Sequence, residues 1–279
     1  MVTRSDTTGF AIPYRSAVAE RGRLCAGIDP HVALLEQWGL PVDATGLRQF
    51  ADICVEALGP VAAVIKPQVA FFEAFGSAGY AVLEAVIDGC REAGALVLAD
   101  AKRGDIGSTM DAYAHAWLDG RSPLCSDAVT VSPYLGFGSL SPAVDAARSS
   151  GRGVFVLART SNPEGGAVQL AGTGERSVGQ LIVDEASASN ADGSATVGLV
   201  VGATRSHGLD LEGLGGPILA PGLGAQGATA RDLPEVFDGA DPAWVLPASS
   251  RGILRAGPDP QAVRASFATA RDEVEAALG

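Results

Sequence analysis

Lysine occurs at only two positions in this 279-residue chain, Lys66 and Lys102, among twenty lysines and arginines. Arginine carries charge as well as lysine, but it does not release a proton near neutral pH and its fork is bulkier. A genome rich in arginine codons explains the missing surface lysines and leaves the two survivors to be explained. A position that keeps lysine needs a compact ammonium or a transferable proton. Lys102 stands in Asp100-Ala101-Lys102-Arg103-Gly104-Asp105. Residues two apart on a strand point to one side, so Asp100 and Lys102 are expected to face the same way. Burying such a pair without a purpose is costly. Carboxylates at Asp100 and Asp105 would keep Lys102 an ammonium. Such a group can stabilise a developing anion and then protonate it. The plainer alternative is an ordinary ion pair at a turn, before a helix whose N-terminus favours Asp105. Two more segments, Gly27-Ile28-Asp29-Pro30 and Val64-Ile65-Lys66-Pro67, add Asp29 and Lys66. Asp29 alone reads equally well as a turn-capping residue before proline.

These residues follow short apolar runs rich in β-branched side chains. Strands are expected at Leu24–Ile28, Val61–Ile65, Leu96–Ala99, Ala128–Val131, Val154–Leu157, Val197–Val201, Ile218–Ala220 and Trp244–Leu246. Their lengths suit strands buried on both faces. Apolar stripes at helical spacing lie between them, as in Met110, Tyr113, Ala114 and Trp117. Eight alternating units predict an α/β fold of the (β/α)8 TIM-barrel type. The first strand is not followed by Gly-x-Gly-x-x-Gly, which weakens a dinucleotide-binding alternative. In a barrel, chemistry sits at the C-terminal ends of the strands. Asp29, Lys66, Asp100 and Lys102 then share one rim. The loops after strands seven and eight run from Ala220 through Pro221 and Gln226 to Gly227, and from Pro247 through Ser250 and Arg251 to Gly252. Glycine-rich backbone and an arginine suit an anion, and these two loops are the usual phosphate site of such barrels. A single barrel domain over 1–279 is expected, with 1–20 as a lead-in and 162–196 as a long insertion holding a helix at Val178–Ala188. An insertion of that length is usually functional or mobile.

A formal charge of -12 argues against a basic face for nucleic acid. No apolar run is long enough to span a bilayer and no secretory leader is recognisable, so a cytoplasmic enzyme is expected. Cys25, Cys54, Cys90 and Cys125 form no Cys-x-x-Cys pair and read as buried thiols. His31, His115 and His207 lie far apart and no two of them stand at helical spacing, so no metal is expected.

The segment Asp100-Ala101-Lys102-Arg103-Gly104-Asp105-Ile106-Gly107-Ser108-Thr109 closely resembles the signature of the orotidine 5'-monophosphate decarboxylases, in particular their longer bacterial subfamily. Supporting segments are Gly27 to Pro30, Val131-Ser132-Pro133-Tyr134-Leu135-Gly136, Arg159-Thr160-Ser161-Asn162-Pro163 and the two phosphate loops. The resemblance covers about Leu24 to Ala256. It implies a cofactor-free barrel enzyme that converts orotidine 5'-monophosphate to UMP, acting as a homodimer with shared active sites. Lys66, Asp100 and Lys102 would act in one subunit, with Asp105 reaching in from the partner. Ile106 and Thr109 would be further partner contributions. Asp29 and Lys66 match ribose contacts, Gln226 and Arg251 match phosphate grips, and Ser161 matches the pyrimidine contact, with Ser132 as the alternative.

Loss of CO2 from such a ring leaves a carbanion with little resonance relief. Enzymes often supply an electron sink such as pyridoxal phosphate for this purpose, and no site for one is recognisable here. Fixed charge and protonation by Lys102 would take its place. The main rival is a Mg-dependent sugar-phosphate decarboxylase or aldolase on the same barrel, which shares Asp-x-Lys-x-x-Asp. A Schiff-base lysine and a non-catalytic phosphate-ligand sensor are the others. Flanking carboxylates disfavour the former, and a sensor has little need for stacked like charges.

Overall fold

The structure, a computed structural model, describes residues 9–203, 207–224 and 227–279. Eight parallel strands close a barrel in chain order: Cys25–Ile28, Val64–Pro67, Leu96–Arg103, Ala128–Val131, Gly153–Arg159, Val197–Val201, Ile218–Pro221 and Val245–Ser249. The first pairs with the last, Cys25 opposite Ala248, so no strand edge is left open. This is the expected (β/α)8 architecture. The pleat divides each strand between two cores. Cys25, Val64, Leu98, Ala128, Phe155, Val200, Leu219 and Leu246 fill the barrel. Their neighbours Val97, Ala99, Val129, Val154, Val156 and Leu199 point outward against the helices. Those helices begin and end on local signals. Asp43 caps Ala44–Leu58 by accepting the Thr45 and Gly46 N–H groups.

Four strands reach at least two residues further toward the C-terminal rim than their apolar runs predict. Residues 61 and 62 donate their N–H groups to Leu58 O and finish the preceding helix, so the second strand starts at Val64 and includes Lys66. The third continues through Asp100 and Lys102 to Arg103, the fifth to Arg159 and the eighth to Ser249. Each extension carries polar residues that a hydrophobicity reading excludes from a strand.

Residues before the first strand close the opposite end. Helix Ala11–Arg21 sets Tyr14 against Trp244 with ring centroids 5.3 Å apart, and Phe10 meets Phe155 edge-on. Arg21 donates to the carbonyls of Gly59, Ala62 and Ala93, tying the loops that enter strands two and three. The segment 162–196 contains a short helix Gly166–Gln169, a small hairpin of Gly172–Thr173 with Arg176–Ser177, and helix Val178–Ser189. Among the described residues no helix is long and apolar enough to cross a membrane.

Tyr14 is fully buried beneath the barrel and far from its mouth. Tyr14→Ala is expected to cost about 3–5 kcal/mol of stability, read as a lower urea midpoint with an unchanged m-value.

Candidate active site

Asp100 and Lys102 meet, but not through regular strand alternation. The register between strands three and four slips between Ala99↔Val129 and Arg103↔Val131, so three residues, Asp100 to Lys102, stand opposite Thr130 alone. Lys102 absorbs the excess with φ = 49°, a left-handed conformation that costs a side-chain-bearing residue about 1–3 kcal/mol. The expected flat geometry is therefore replaced by a bulge that turns the Lys102 side chain back to Asp100. Lys102 Nζ lies 2.6 Å from Asp100 Oδ1. Lys66 Nζ, from the neighbouring strand, lies 2.9 Å from Asp100 Oδ2. One carboxylate thus bridges two ammonium groups.

The pair around Asp100 is asymmetric in burial. The Lys66 side chain is 8% exposed and that of Lys102 43%. Burial opposes the charge on Lys66, but Asp100 and then Asp29 outweigh it and hold its pKa above the ordinary lysine value. Burial also opposes the charge on Asp100, yet Lys66 and Lys102 hold its carboxyl well below the usual carboxylate range. Gln68 Oε1 accepts from Lys66 at 3.3 Å, and Asp29 Oδ1 stands 4.0 Å from the same ammonium.

These groups line a cavity of about 310 Å³ at the barrel mouth. Of the residues expected from the sequence, Asp29, Lys66, Asp100, Lys102, Ser161, Pro221, Ser250 and Arg251 line it together. Ser161 is there and Ser132 is not; the Ser132 N–H is spent on the Arg103 carbonyl. Asp105, Ile106 and Thr109 do not line it. Asp105 Oδ1 accepts the Ile106 N–H, and Ile106 is 62% exposed. Within one chain, then, Lys102 is flanked by Asp100 and not by Asp105. Gln226 lies outside the described residues. Sequence reasoning missed Gln68, Thr160 and Asn162, which also line the cavity. Gln68 was findable: it stands two residues after Lys66, on the same side of the chain. Asp29 Oδ1 and Ser250 Oγ are buried in the wall without hydrogen-bond partners. A polar ligand would supply partners to both.

Other candidate nucleophiles are inert. All four cysteines are buried and free. Burial pushes the Cys25 and Cys90 thiols up to about 12. His207 is buried under the seventh-strand region, donating to Val236 O and accepting from the Leu209 N–H. Among the described residues no three His, Cys, Asp or Glu side chains are placed to hold a metal ion.

The model of the orotidine 5'-phosphate decarboxylase / HUMPS family matches residues 22–266. The chain belongs to that family. Among its members, the orotidine 5'-phosphate decarboxylase of Salinispora arenicola is 59% identical over 273 residues, covering 96% of this chain and 98% of the relative. That of Salinispora tropica is 57% identical over the same length. A crystal structure from Streptomyces avermitilis, provisionally assigned to the same enzyme, superposes with a TM-score of 0.93 at 52% identity, covering 100% of this chain and 99% of its own. The Leishmania donovani OMP decarboxylase gives 0.76 at 30% identity, covering 97% and 99%.

Removing the bridging charge should leave the buried Lys66 ammonium without its nearest carboxylate. Asp100→Asn is expected to lose about 3–5 kcal/mol near neutral pH, measured by denaturant unfolding. Because the folded carboxyl is held low, its contribution is full above the unfolded value of about 4 and fades as pH falls below it. The gap between wild type and variant should therefore be flat from about pH 5 to 9 and narrow in acid.

Proposed function

We propose that this chain decarboxylates orotidine 5'-monophosphate to UMP, with Lys102 as the proton donor. The observation that carries the reading is Asp100 clamped between Lys66 and Lys102 on the wall of the cavity. When CO2 leaves, the bonding electrons stay on the ring carbon. A cation fixed beside that carbon stabilises the charge as it develops, and no reorganisation is needed at the moment of reaction. Lys102 then gives its proton to the carbon and is left as a neutral amine, which solvent reprotonates. Its half-exposed position at the mouth suits both steps, whereas the buried Lys66 suits fixed electrostatic support. In this reading Asp100 opposes the substrate carboxylate, and loss of CO2 relieves that repulsion.

A single acid contributes about 10²–10⁴-fold, far short of a barrier reduction that can reach about 23 kcal/mol. The rest must come from binding energy gained away from the reacting carbon. Pro221, Ser250 and Arg251 stand at the ends of strands seven and eight, where a phosphate would sit. Gln226 belongs to the same loop in sequence and is proposed as a phosphate contact. Asp29 and Lys66 are proposed to hold the ribose hydroxyls, and Ser161 the pyrimidine. The Mg-dependent alternative is disfavoured by the donor set, because both oxygens of Asp100 are already engaged by ammonium groups.

The same proposal includes a homodimer with shared sites. Ile106, Tyr134 and Leu135 are exposed by 62%, 81% and 53% on adjacent loops beside the cavity, a grouping of apolar side chains that favours burial against another surface. A second copy there would bring its Asp105, Ile106 and Thr109 toward Lys102. Activity on a soluble nucleotide is consistent with a cytoplasmic enzyme.

Lys102→Ala should keep the fold and lose at least about 10²-fold in kcat, followed as loss of orotidine 5'-monophosphate absorbance. Wild type should be unaffected by a chelator, and EDTA-sensitive turnover would transfer the assignment to the Mg-dependent alternative. Lys102→Ala and Asp105→Ala chains, each inactive alone, should regain roughly a quarter of native activity when mixed and re-assembled. Absence of that gain between folded variants would contradict sharing of the site.

A further inference from the structure

Thr130 is fully buried on the fourth strand, one of the few polar side chains in the barrel wall. Its hydroxyl holds two bonds. Oγ1 accepts the backbone N–H of Lys102 at 2.9 Å and lies 2.9 Å from Asp100 Oδ1. The directions are forced. An amide can only donate, and an ionised carboxylate can only accept. The single hydroxyl proton therefore goes to Asp100. The bulge leaves Lys102 N–H with no ladder partner on strand four, and the Thr130 side chain takes the place of that missing carbonyl. One atom thus fixes both the left-handed backbone of Lys102 and the orientation of Asp100.

We infer that Thr130 is a positioning residue for proton transfer: it holds the Lys102 ammonium in the attitude from which it reaches the carbanion. It touches no reacting atom and acts through Lys102 and Asp100. The inference rests on Lys102 being the proton donor. Bulk water does not reach the Thr130 hydroxyl, which is fully buried between strands three and four. Valine has nearly the same shape and lacks both hydrogen-bonding functions. Serine keeps them and loses only a methyl group.

The test compares Thr130→Val and Thr130→Ser with wild type and with Lys102→Ala. Thr130→Val should lose about 10²-fold in kcat, the scale of an ångström-level misplacement. KM and the dissociation constant for UMP should stay within about threefold, since binding determinants remain. Thr130→Ser should recover most of the lost kcat. A residue that serves only packing would instead lower Tm and leave kcat per folded molecule near wild type. That result in Thr130→Val overturns the proposal, and so does UMP affinity falling by the same factor as kcat. If the valine variant does not fold, Thr130→Ala takes its place with the same criteria, serine again being the rescue. Normal turnover in Lys102→Ala would overturn the acid assignment itself, together with this inference. An inactive Lys102→Ala beside a fully active Thr130→Val would overturn the inference alone.

Discussion

Everything at the barrel mouth depends on one carboxylate placed between two ammonium groups. Either lysine beside Asp100 without the other would make a simple ion pair. With both, each oxygen of Asp100 is committed to a different strand. The interaction crosses the rim from the second strand to the end of the third, and Thr130 extends it to the fourth. Asp29 continues it toward the first. Alternating charges therefore run along three adjacent strand ends, with the neutral Thr130 hydroxyl on a fourth. Such an array is costly to desolvate and is stable only when every member is paired. It contributes little to folding that apolar residues could not contribute better. Its worth lies in fields fixed before substrate arrives.

A closed barrel suits this because the strand ends are covalently and laterally held. The interior column of Cys25, Val64, Leu98, Ala128, Phe155 and Leu246 sets the strand spacing below the charged layer. Tyr14 and Phe10 close the other end, packing against Trp244 and Phe155 beneath the barrel. The stable half of the molecule and the chemically expensive half are separated along the barrel axis. Stability can then be concentrated at the bottom while strain is kept at the top, in the left-handed Lys102.

Much of this was legible in the residues themselves. Short apolar runs and helical stripes specify a β/α repeat, and the scarcity of lysine singles out Lys66 and Lys102 without reference to any relative. What could not be read were the points where polar residues belong to strands. A hydrophobic run stops at Ala99, yet the strand continues through Asp100 and Lys102 because their charges are satisfied by neighbours distant in sequence. The bulge was invisible for a related reason: it arises from a mismatch in length between two strands, and no single residue signals it. Thr130 did leave a trace. It is the one polar residue in Ala128-Val129-Thr130-Val131, and a hydroxyl in a doubly buried strand requires a partner. Asp105 shows the opposite limit, because its place relative to Lys102 is not decided within one chain.

The unequal exposure of the two lysines assigns them different work. Lys66 is almost wholly buried in the cavity wall, where a proton could neither leave nor return readily, and its pairing keeps it charged. Lys102 faces the cavity with much of its side chain open. An open ammonium is screened by water, so its stabilising power on a carbanion is weak in the free protein. Covering it changes that. A bound phosphate ester that draws the mouth loops inward, and in the proposed dimer a neighbouring carboxylate, would displace that water and strengthen the field at the reacting carbon. Binding energy from the distant phosphate and the field at Lys102 are then coupled through exclusion of solvent. A site assembled in this way is strongest when its substrate is in place, which is when an unstabilised carbanion must be met.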